Sequence, residues 1–371
     1  DIGTEGNPIQ NLQYGVTVTD EWMTEMKDGD RKKRKVWAKI IQRRSEFGFP
    51  YIMFKDNSNN NTPYKDLGLE ITASNLCSEI QLPTDSYNSF VCCLGSINVL
   101  HWDEIKETDA IQTYVYFLNA VMDEFIIKAE TMPGMKRAFN FAEKHRAIGL
   151  GVLGYHSLLQ SKLIEFDSLA SKGINSEIFR TIKDRSEIAS RKLHRDYGYK
   201  CLREGYANTT LMAIAPTKSS SFIHGAVSMG IEPIKSNYFI KDLAKSKTVY
   251  KNPFLECELE KHGLNTDKIW KSILKKDGSV QHLDFPTKGV FKSFVEISPK
   301  EIVLQAAQRQ KYIDQSQSLN LMIDPSISAK QINQLYLYAW EEGVKTLYYQ
   351  FSKSSAQDFA RNILECSSCE G

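Results

Sequence analysis

Three internal stretches and one terminal stretch place reactive side chains at spacings that chemistry can use. In "SNLCSEIQLPT" (74–84), Asn75, Cys77 and Glu79 alternate. In extended backbone they would share one face, because side chains two apart point the same way. A thiol, an amide and a carboxylate would then converge, which suits hydrogen abstraction by sulfur beside a base. The same pattern also describes a buried cysteine in a strand with polar neighbours, since cysteine is among the most buried residue types. In "APTKSSS", Thr217, Lys218, Ser219 and Ser220 follow an apolar run. Backbone N–H groups at a helix start, with hydroxyls and an ammonium, make an anion cradle; a serine-rich helix cap is the plainer alternative. "TLYYQ" contains adjacent Tyr348 and Tyr349. Strand aromatics belong to cores, and strand neighbours face opposite sides, so a stacked pair requires the strand to end or twist there. The chain closes on "ECSSCEG", with Cys366 and Cys369 on a loose end.

Seven cysteines, at 77, 92, 93, 201, 257, 366 and 369, are an odd number at modest density. That excludes a secreted disulfide scaffold and points to a cytoplasmic protein with reduced thiols. Cys366 and Cys369 have zinc-knuckle spacing, but a structural zinc site needs a second pair, and adjacent Cys92 and Cys93 make a poor one. The net charge of +2 gives no bulk attraction to nucleic acid or membrane surfaces. "RKKRK" (31–35) reads as a solvated helix start. No apolar run is long enough to span a bilayer, and no secretory signal is present. The first residues, "DIGTEGNPIQN", lack an initiator methionine, so a preceding segment is expected.

The elements that position these residues follow from caps and periodicity. Ser298-Pro299-Lys300-Glu301 and Ser328-Ala329-Lys330-Gln331 read as capping boxes, opening helices over 299–313 and 329–342. Helices are also expected over 110–130 and 176–197, the second stopped by Gly198. "DNSNNNTPY" (56–64) reads as a polar loop. "TTLMAIA" (209–215) reads as a buried strand. "SLNLMI" (318–323), the helix at 329–342 and "VKTLYYQF" (344–351) form a strand–helix–strand unit, which implies parallel pairing. The class is α/β, and ligands gather at the strand ends of such folds. Both "PTKSSS" and Tyr348-Tyr349 fall there.

Taken in order, "NLCSEIQLP", "VCCLGSINV", "APTKSSS", "GVKTLYYQ" and the terminal cysteine pair resemble the catalytic large subunit of class I ribonucleotide reductase. "RAIGLGVLG" (146–154) and "GIEP" (230–233) add to the likeness, which runs from about residue 10 to the end. The resemblance implies the C-terminal half of a ten-stranded α/β barrel over 1–360, with a central finger loop, and a flexible redox tail over 361–371. It implies that Cys77, as a thiyl radical, removes the ribose 3′ hydrogen. Glu79 would be the base on the 3′-hydroxyl, Asn75 would orient substrate, and Thr217, Lys218, Ser219 and Ser220 would hold the diphosphate. Tyr348 and Tyr349 would relay an electron and a proton from a radical-generating small subunit. Cys92 would be one of the two thiols oxidised in each turnover, with Cys93 an open competitor. Cys366 and Cys369 would carry reducing equivalents from thioredoxin or glutaredoxin. No cofactor would be bound by this chain itself.

The family's chains are about twice as long, and the counterpart of their N-terminal half, with the other reducible cysteine, is not in this sequence. Either the sequence is a fragment of a longer subunit or the subunit is divided, and a divided subunit with a complementing N-terminal chain is the favoured expectation. A non-catalytic scaffold is the alternative, although it would have no reason to retain Cys77, Glu79, the tyrosines and the tail thiols together. A stand-alone thiol–disulfide oxidoreductase would place its CxxC at a helix start, not on a tail.

Overall fold

The computed structural model describes residues 12–243 and 246–352. The tail cysteines Cys366 and Cys369 lie outside the described residues. The helix expected at 110–130 spans Ala110–Thr131 and buries Ile111, Val115, Leu118 and Met122 along one stripe. Each such side chain contributes roughly 1.5–3 kcal/mol when fully buried. The helix expected from 176 begins earlier, at Leu169, because the Ser168 hydroxyl accepts the Ser171 N–H; it ends at Tyr197, where Gly198 turns left-handed. "RKKRK" opens the helix Arg31–Phe47, capped by Asp30.

Two local expectations are corrected. Ser328 and Gln331 form their reciprocal box, but Ser298 makes no side-chain cap. There Glu301 turns outward to Lys172, 3.1 Å away, and accepts from Gln305 at 3.3 Å, so the carboxylate that would close the box is engaged elsewhere. The polar stretch 56–64 is not simply a loop: Lys55–Asn60 is helical. Its amides point inward. Asn57 donates to the carbonyls of Trp340 (2.8 Å) and Val344 (2.9 Å), and Asn61 to that of Gln310 (2.8 Å). Asparagine is used here to satisfy carbonyls at neighbouring helix ends, which would otherwise be buried unpaired.

The strands are β1 (Gly15–Val18), β2 (Tyr51–Phe54), β3 (Leu94–Asn98), β4 (Gly149–Leu153), β5 (Tyr238–Leu243), β6 (Ser246–Lys251), β7 (Leu321–Ile323), β8 (Thr346–Leu347) and β9 (Gln350–Ser352). β3 pairs in parallel with β4, in register from Leu94 with Gly149 to Asn98 with Leu153. Isolated parallel bridges continue this arrangement, from Leu150 to Met212 and from Ile214 to Gln317. The expected strand "TTLMAIA" is therefore present as a short pairing segment. β7 pairs in parallel with β9, and β8 pairs antiparallel with β2, which is parallel to β1. Backbone pairing thus passes from β3 through β4, 212–214, 316–323 and 346–352 to β2 and β1. Five neighbouring parallel segments meet two more in the opposite sense. Gly151 permits the close approach of the third segment, since a Cβ there would lie 2.4 Å from the Ala213 carbonyl oxygen.

Lys345, fully buried just before β8, donates to the carbonyls of Asn61 (2.6 Å), Asp314 (2.8 Å) and Gln315 (2.6 Å). A smaller core of Leu255, Leu259, Trp270, Ile273 and Phe291 packs beside the antiparallel β5–β6 hairpin. Among the described residues no helix is long and apolar enough to cross a membrane.

Candidate active site

Residues 69–93 contain turns and bends but no helix or strand. Ile80 and Leu82 of this segment pack with Met53 and Ala213, residues of the sheet, so the segment runs along a sheet face as a finger. The expected extended run through 75, 77 and 79 does not form. Ser78 takes a left-handed φ of 67°, and its N–H donates to the Asn75 carbonyl at 3.1 Å. The Asn75 side-chain oxygen accepts the Ile80 N–H, also at 3.1 Å. The backbone groups that a ladder would have paired find other partners. Ser318 Oγ donates to the Cys77 carbonyl (2.7 Å), Thr346 Oγ1 to the Ser78 carbonyl (3.0 Å), and the Ser316 N–H to the Glu79 carbonyl (2.9 Å). A turn therefore replaces the strand; it brings the Asn75 side chain to Glu79, while Cys77 faces the aromatic cluster. A non-glycine left-handed residue is costly, and such strain collects at functional loops.

Glu79 is 2% exposed and accepts from Ser318 Oγ at 3.2 Å. Burial raises its pKa above the usual carboxylate range; hydrogen bonds from backbone, Asn75 and Ser318 offset only part of this. A carboxylate so placed is a better base than an exposed glutamate.

Cys77 packs against the buried rings of Phe49, Tyr51 and Tyr348. The ladder breaks between β8 and β9 at Tyr348 and Tyr349. That break gives neighbouring residues a common side, and their ring centroids lie 4.5 Å apart at 55°. The Tyr348 hydroxyl is buried without a nitrogen or oxygen partner. Burial raises its phenol strongly, and the Cys77 thiol, Tyr51 and Tyr349 add to the shift. A phenol so disfavoured as an anion can give up its proton only together with an electron.

The doublet divides between two sides. Cys93 is buried and its thiol faces the Leu118 carbonyl, 3.6 Å away. Cys92 reaches solvent, yet packing around its sulfur pushes the thiol up to about 12, with Glu79 and then Cys93 contributing. Glu79 is thus among the groups that act on Cys92, whereas Cys93 belongs to the core.

In the expected phosphate loop, Thr217 is buried and left-handed (φ 51°). Its hydroxyl accepts the Gly230 N–H at 2.8 Å, which braces the loop against "GIEP". Lys218, Ser219 and Ser220 are half-buried at the start of the single helical turn Ser220–Ile223. The Lys218 ammonium lies 5.7 Å from the Tyr349 ring centre.

Several residues escaped sequence reasoning. Tyr51 lies 4.8 Å from the Tyr348 ring and 5.1 Å from the Tyr349 ring. Its hydroxyl donates to Gln13 Oε1, whose amide donates to the Tyr349 hydroxyl, both at 2.7 Å. Ser318 and Asn320 also belong to the site. Their signal is "DQSQSLN" (314–320), a polar run in which every residue from Gln315 to Asn320 is buried. Polar side chains at such positions need specific partners.

Fold and site together define an α/β barrel-type sheet with a finger loop that carries a thiol against adjacent phenols and, at the same turn, a buried carboxylate. The chain belongs to the ribonucleotide reductase family: the family's barrel domain matches residues 27–201 and 198–350. The ribonucleoside-diphosphate reductase large subunit of Invertebrate iridescent virus 3 is 40% identical over 329 residues, covering 86% of this chain and 52% of the viral one. The large subunit from Caenorhabditis elegans is 30% identical over 368 residues, covering 87% of this chain and 45% of its own. The solved Actinobacillus ureae class Id ribonucleotide reductase alpha subunit superposes with a TM-score of 0.91 at 51% identity, over 99% of this chain and 69% of that one. The chain spans about half the length of these two curated relatives.

Proposed function

We propose that this chain is the catalytic part of a ribonucleoside-diphosphate reductase that makes 2′-deoxyribonucleotides for DNA synthesis. The observation that carries the reading is the packing of Cys77 against Tyr348, with the Tyr349 ring in contact beyond it and Glu79 buried at the same turn.

Tyr349 loses an electron to the oxidant of a radical-generating small subunit and its proton to solvent. Tyr349 then takes a hydrogen atom from Tyr348, and Tyr348 takes one from the Cys77 thiol. The thiyl removes the 3′ hydrogen of the substrate, while Glu79 accepts the 3′-hydroxyl proton and Asn75 orients the sugar. Thr217, Lys218, Ser219 and Ser220 hold the diphosphate. The 2′-hydroxyl leaves as water. Two electrons and two protons come from Cys92 and a second cysteine, which close to a disulfide, and the 3′ hydrogen returns from Cys77. The second cysteine belongs to the remainder of the large subunit, whether in the same chain or in a complementing one. Residues 361–371 act as the redox tail: Cys366 and Cys369 reduce this disulfide by exchange and are themselves reduced by cytoplasmic thioredoxin or glutaredoxin. No cofactor is bound by the chain itself.

The test uses the complete large subunit with its radical subunit and follows deoxyribonucleoside diphosphate formation. Cys366→Ser with Cys369→Ser should abolish steady turnover driven by thioredoxin, which is too large to enter the barrel. The same variant should retain turnover with a small dithiol. Equal loss with both reductants would remove the shuttle, and no product from the parent enzyme would remove the function.

A further inference from the structure

The relay tyrosine and the phosphate loop are joined by a set of charges, of which the proposed chemistry uses only Lys218. Glu232, in "GIEP", is buried. Asn320 donates its amide to the Glu232 carboxylate, and the Asn320 side-chain oxygen accepts the Tyr349 N–H at 3.0 Å. Two lysines act on this carboxylate, Lys235 and Lys218, and oppose the effect of its burial. Each lysine also stands over an aromatic ring. Lys218 lies 5.7 Å from the centre of Tyr349 and Lys235 lies 4.1 Å from that of Phe351. The two rings stack, with centroids 5.5 Å apart at 21°. Phosphate-loop lysine, relay ring and buried carboxylate are thus neighbours.

A cation over a tyrosine face is attracted to its π electrons. Oxidation removes an electron from that ring, so the ammonium stabilises the reduced tyrosine more than the radical. With the phosphate site empty, Lys218 has Glu232 and the Tyr349 ring as its electrostatic partners. A diphosphate carries more charge than either and competes for the ammonium at short range. We propose that Lys218 and Glu232 are positioning residues through which Tyr349 senses the substrate diphosphate: binding draws the Lys218 charge from the ring and makes Tyr349 easier to oxidise. Oxidation still sends one electron to the partner's oxidant and one proton to solvent; only its equilibrium moves. The radical therefore forms at Tyr349 chiefly when a substrate is present to consume it. Glu232 sets the resting state, because it compensates the Lys218 charge and anchors the Tyr349 backbone through Asn320. This rests on the relay reading of Tyr349.

The experiment uses the complete enzyme with its radical subunit and 3-aminotyrosine, which is more easily oxidised than tyrosine, at position 349. The aminotyrosyl radical is measured by electron paramagnetic resonance with a ribonucleoside diphosphate, with the same ribonucleoside lacking phosphates, and with neither. In the parent enzyme the diphosphate should raise the radical yield roughly two- to fivefold, the range a cation–π contact of this kind corresponds to, and the bare ribonucleoside should not. Lys218→Met keeps the alkyl stem and removes the charge. Its nucleotide-free yield should rise to the parent's diphosphate-bound level, a comparison that needs no substrate binding by the variant. Glu232→Gln leaves the Lys218 charge uncompensated and should move the nucleotide-free yield the other way, below the parent. A nucleotide-free yield in Lys218→Met that matches the parent overturns the proposal. If the parent forms no radical at position 349 under any condition, the relay reading itself falls, and this proposal with it.

Discussion

The two sides of the finger turn make a direct comparison. One side is aromatic: Cys77 packs against Phe49, Tyr51 and Tyr348. The other is polar: Glu79 is held by Ser318 and influenced by Asn75, and it acts in turn on Cys92. None of the causes acting on the Cys92 thiol is a cation, the neighbour that lowers the pKa of a nucleophilic cysteine. Cys92 is pushed up to about 12, so it stays a thiol at neutral pH. A thiol that donates hydrogen must keep its proton until the electron leaves with it. In the proposed chemistry the aromatic side serves removal of hydrogen atoms and the polar side movement of protons. On that proposal the two tasks are separated by environment, not by residue type.

The largest effects are expected on the aromatic side. Cys77→Ser should lower turnover by about 10⁴-fold or more, because the stronger O–H bond adds several kcal/mol to a barrier in which about 1.36 kcal/mol is a factor of ten. Tyr348→Phe should be as severe without unfolding, since it removes one hydroxyl that has no oxygen or nitrogen partner to lose. Steady-state deoxyribonucleotide formation, with circular dichroism to check the fold, measures both. Near-full activity in either variant would end the distinction between the two sides.

On the polar side, Glu79→Gln should cost roughly 10²–10⁴-fold in kcat, the usual range for a positioned base. The base must be ionised to accept the 3′-hydroxyl proton. Burial raises the Glu79 pKa, so the acid limb of kcat/KM should lie above the ordinary glutamate value. Activity should disappear as pH falls through it, and the limb should be absent in the variant. A limb at the ordinary carboxylate value would mean that Glu79 is solvated during turnover.

The cysteine doublet sharpens the comparison further. Cys92→Ser should stop multiple turnovers. Cys93→Ser should permit them, at a stability change of about 1 kcal/mol, because Cys93 faces the Leu118 carbonyl and a hydroxyl there still has an acceptor. The reverse pattern, measured as product per enzyme over several cycles, would exchange their assignments. The smallest effect should come from Ser318→Ala. The lost hydroxyl proton is shared between the Cys77 carbonyl and Glu79 and is worth about 0.5–1.5 kcal/mol. Because the bond to Glu79 favours the ionised carboxylate, its removal should move the acid limb of Glu79 still higher in pH.

Much of this site was legible in the sequence, for reasons that differ from residue to residue. Cys77, Glu79 and Asn75 lie within five residues, so almost any compact backbone brings them together. The expected strand does not form, because the turn at Ser78 satisfies backbone groups through Ser316, Ser318 and Thr346, residues more than 230 positions away. Such partners leave no local signature. Tyr51 was missed for the same reason: its role depends on a parallel pairing with β1 and an antiparallel one with β8. The helix at 329–341 was readable because capping box and periodicity are both local. The Ser298 box failed because Glu301 found Lys172, a competitor distant in sequence.

Lys345 has a consequence for assembly errors. A strand that slips by one residue exchanges its faces and is rejected by the core. A strand that slips by two keeps its alternation, so hydrophobic patterning alone barely resists it. The strand carrying Tyr348 and Tyr349 would then place its phenols a full repeat away from Cys77 while still burying apolar side chains. Lys345 prevents this error by acting as an index mark: its ammonium reaches four carbonyls from two distant segments, and only one alignment of the strand satisfies them all.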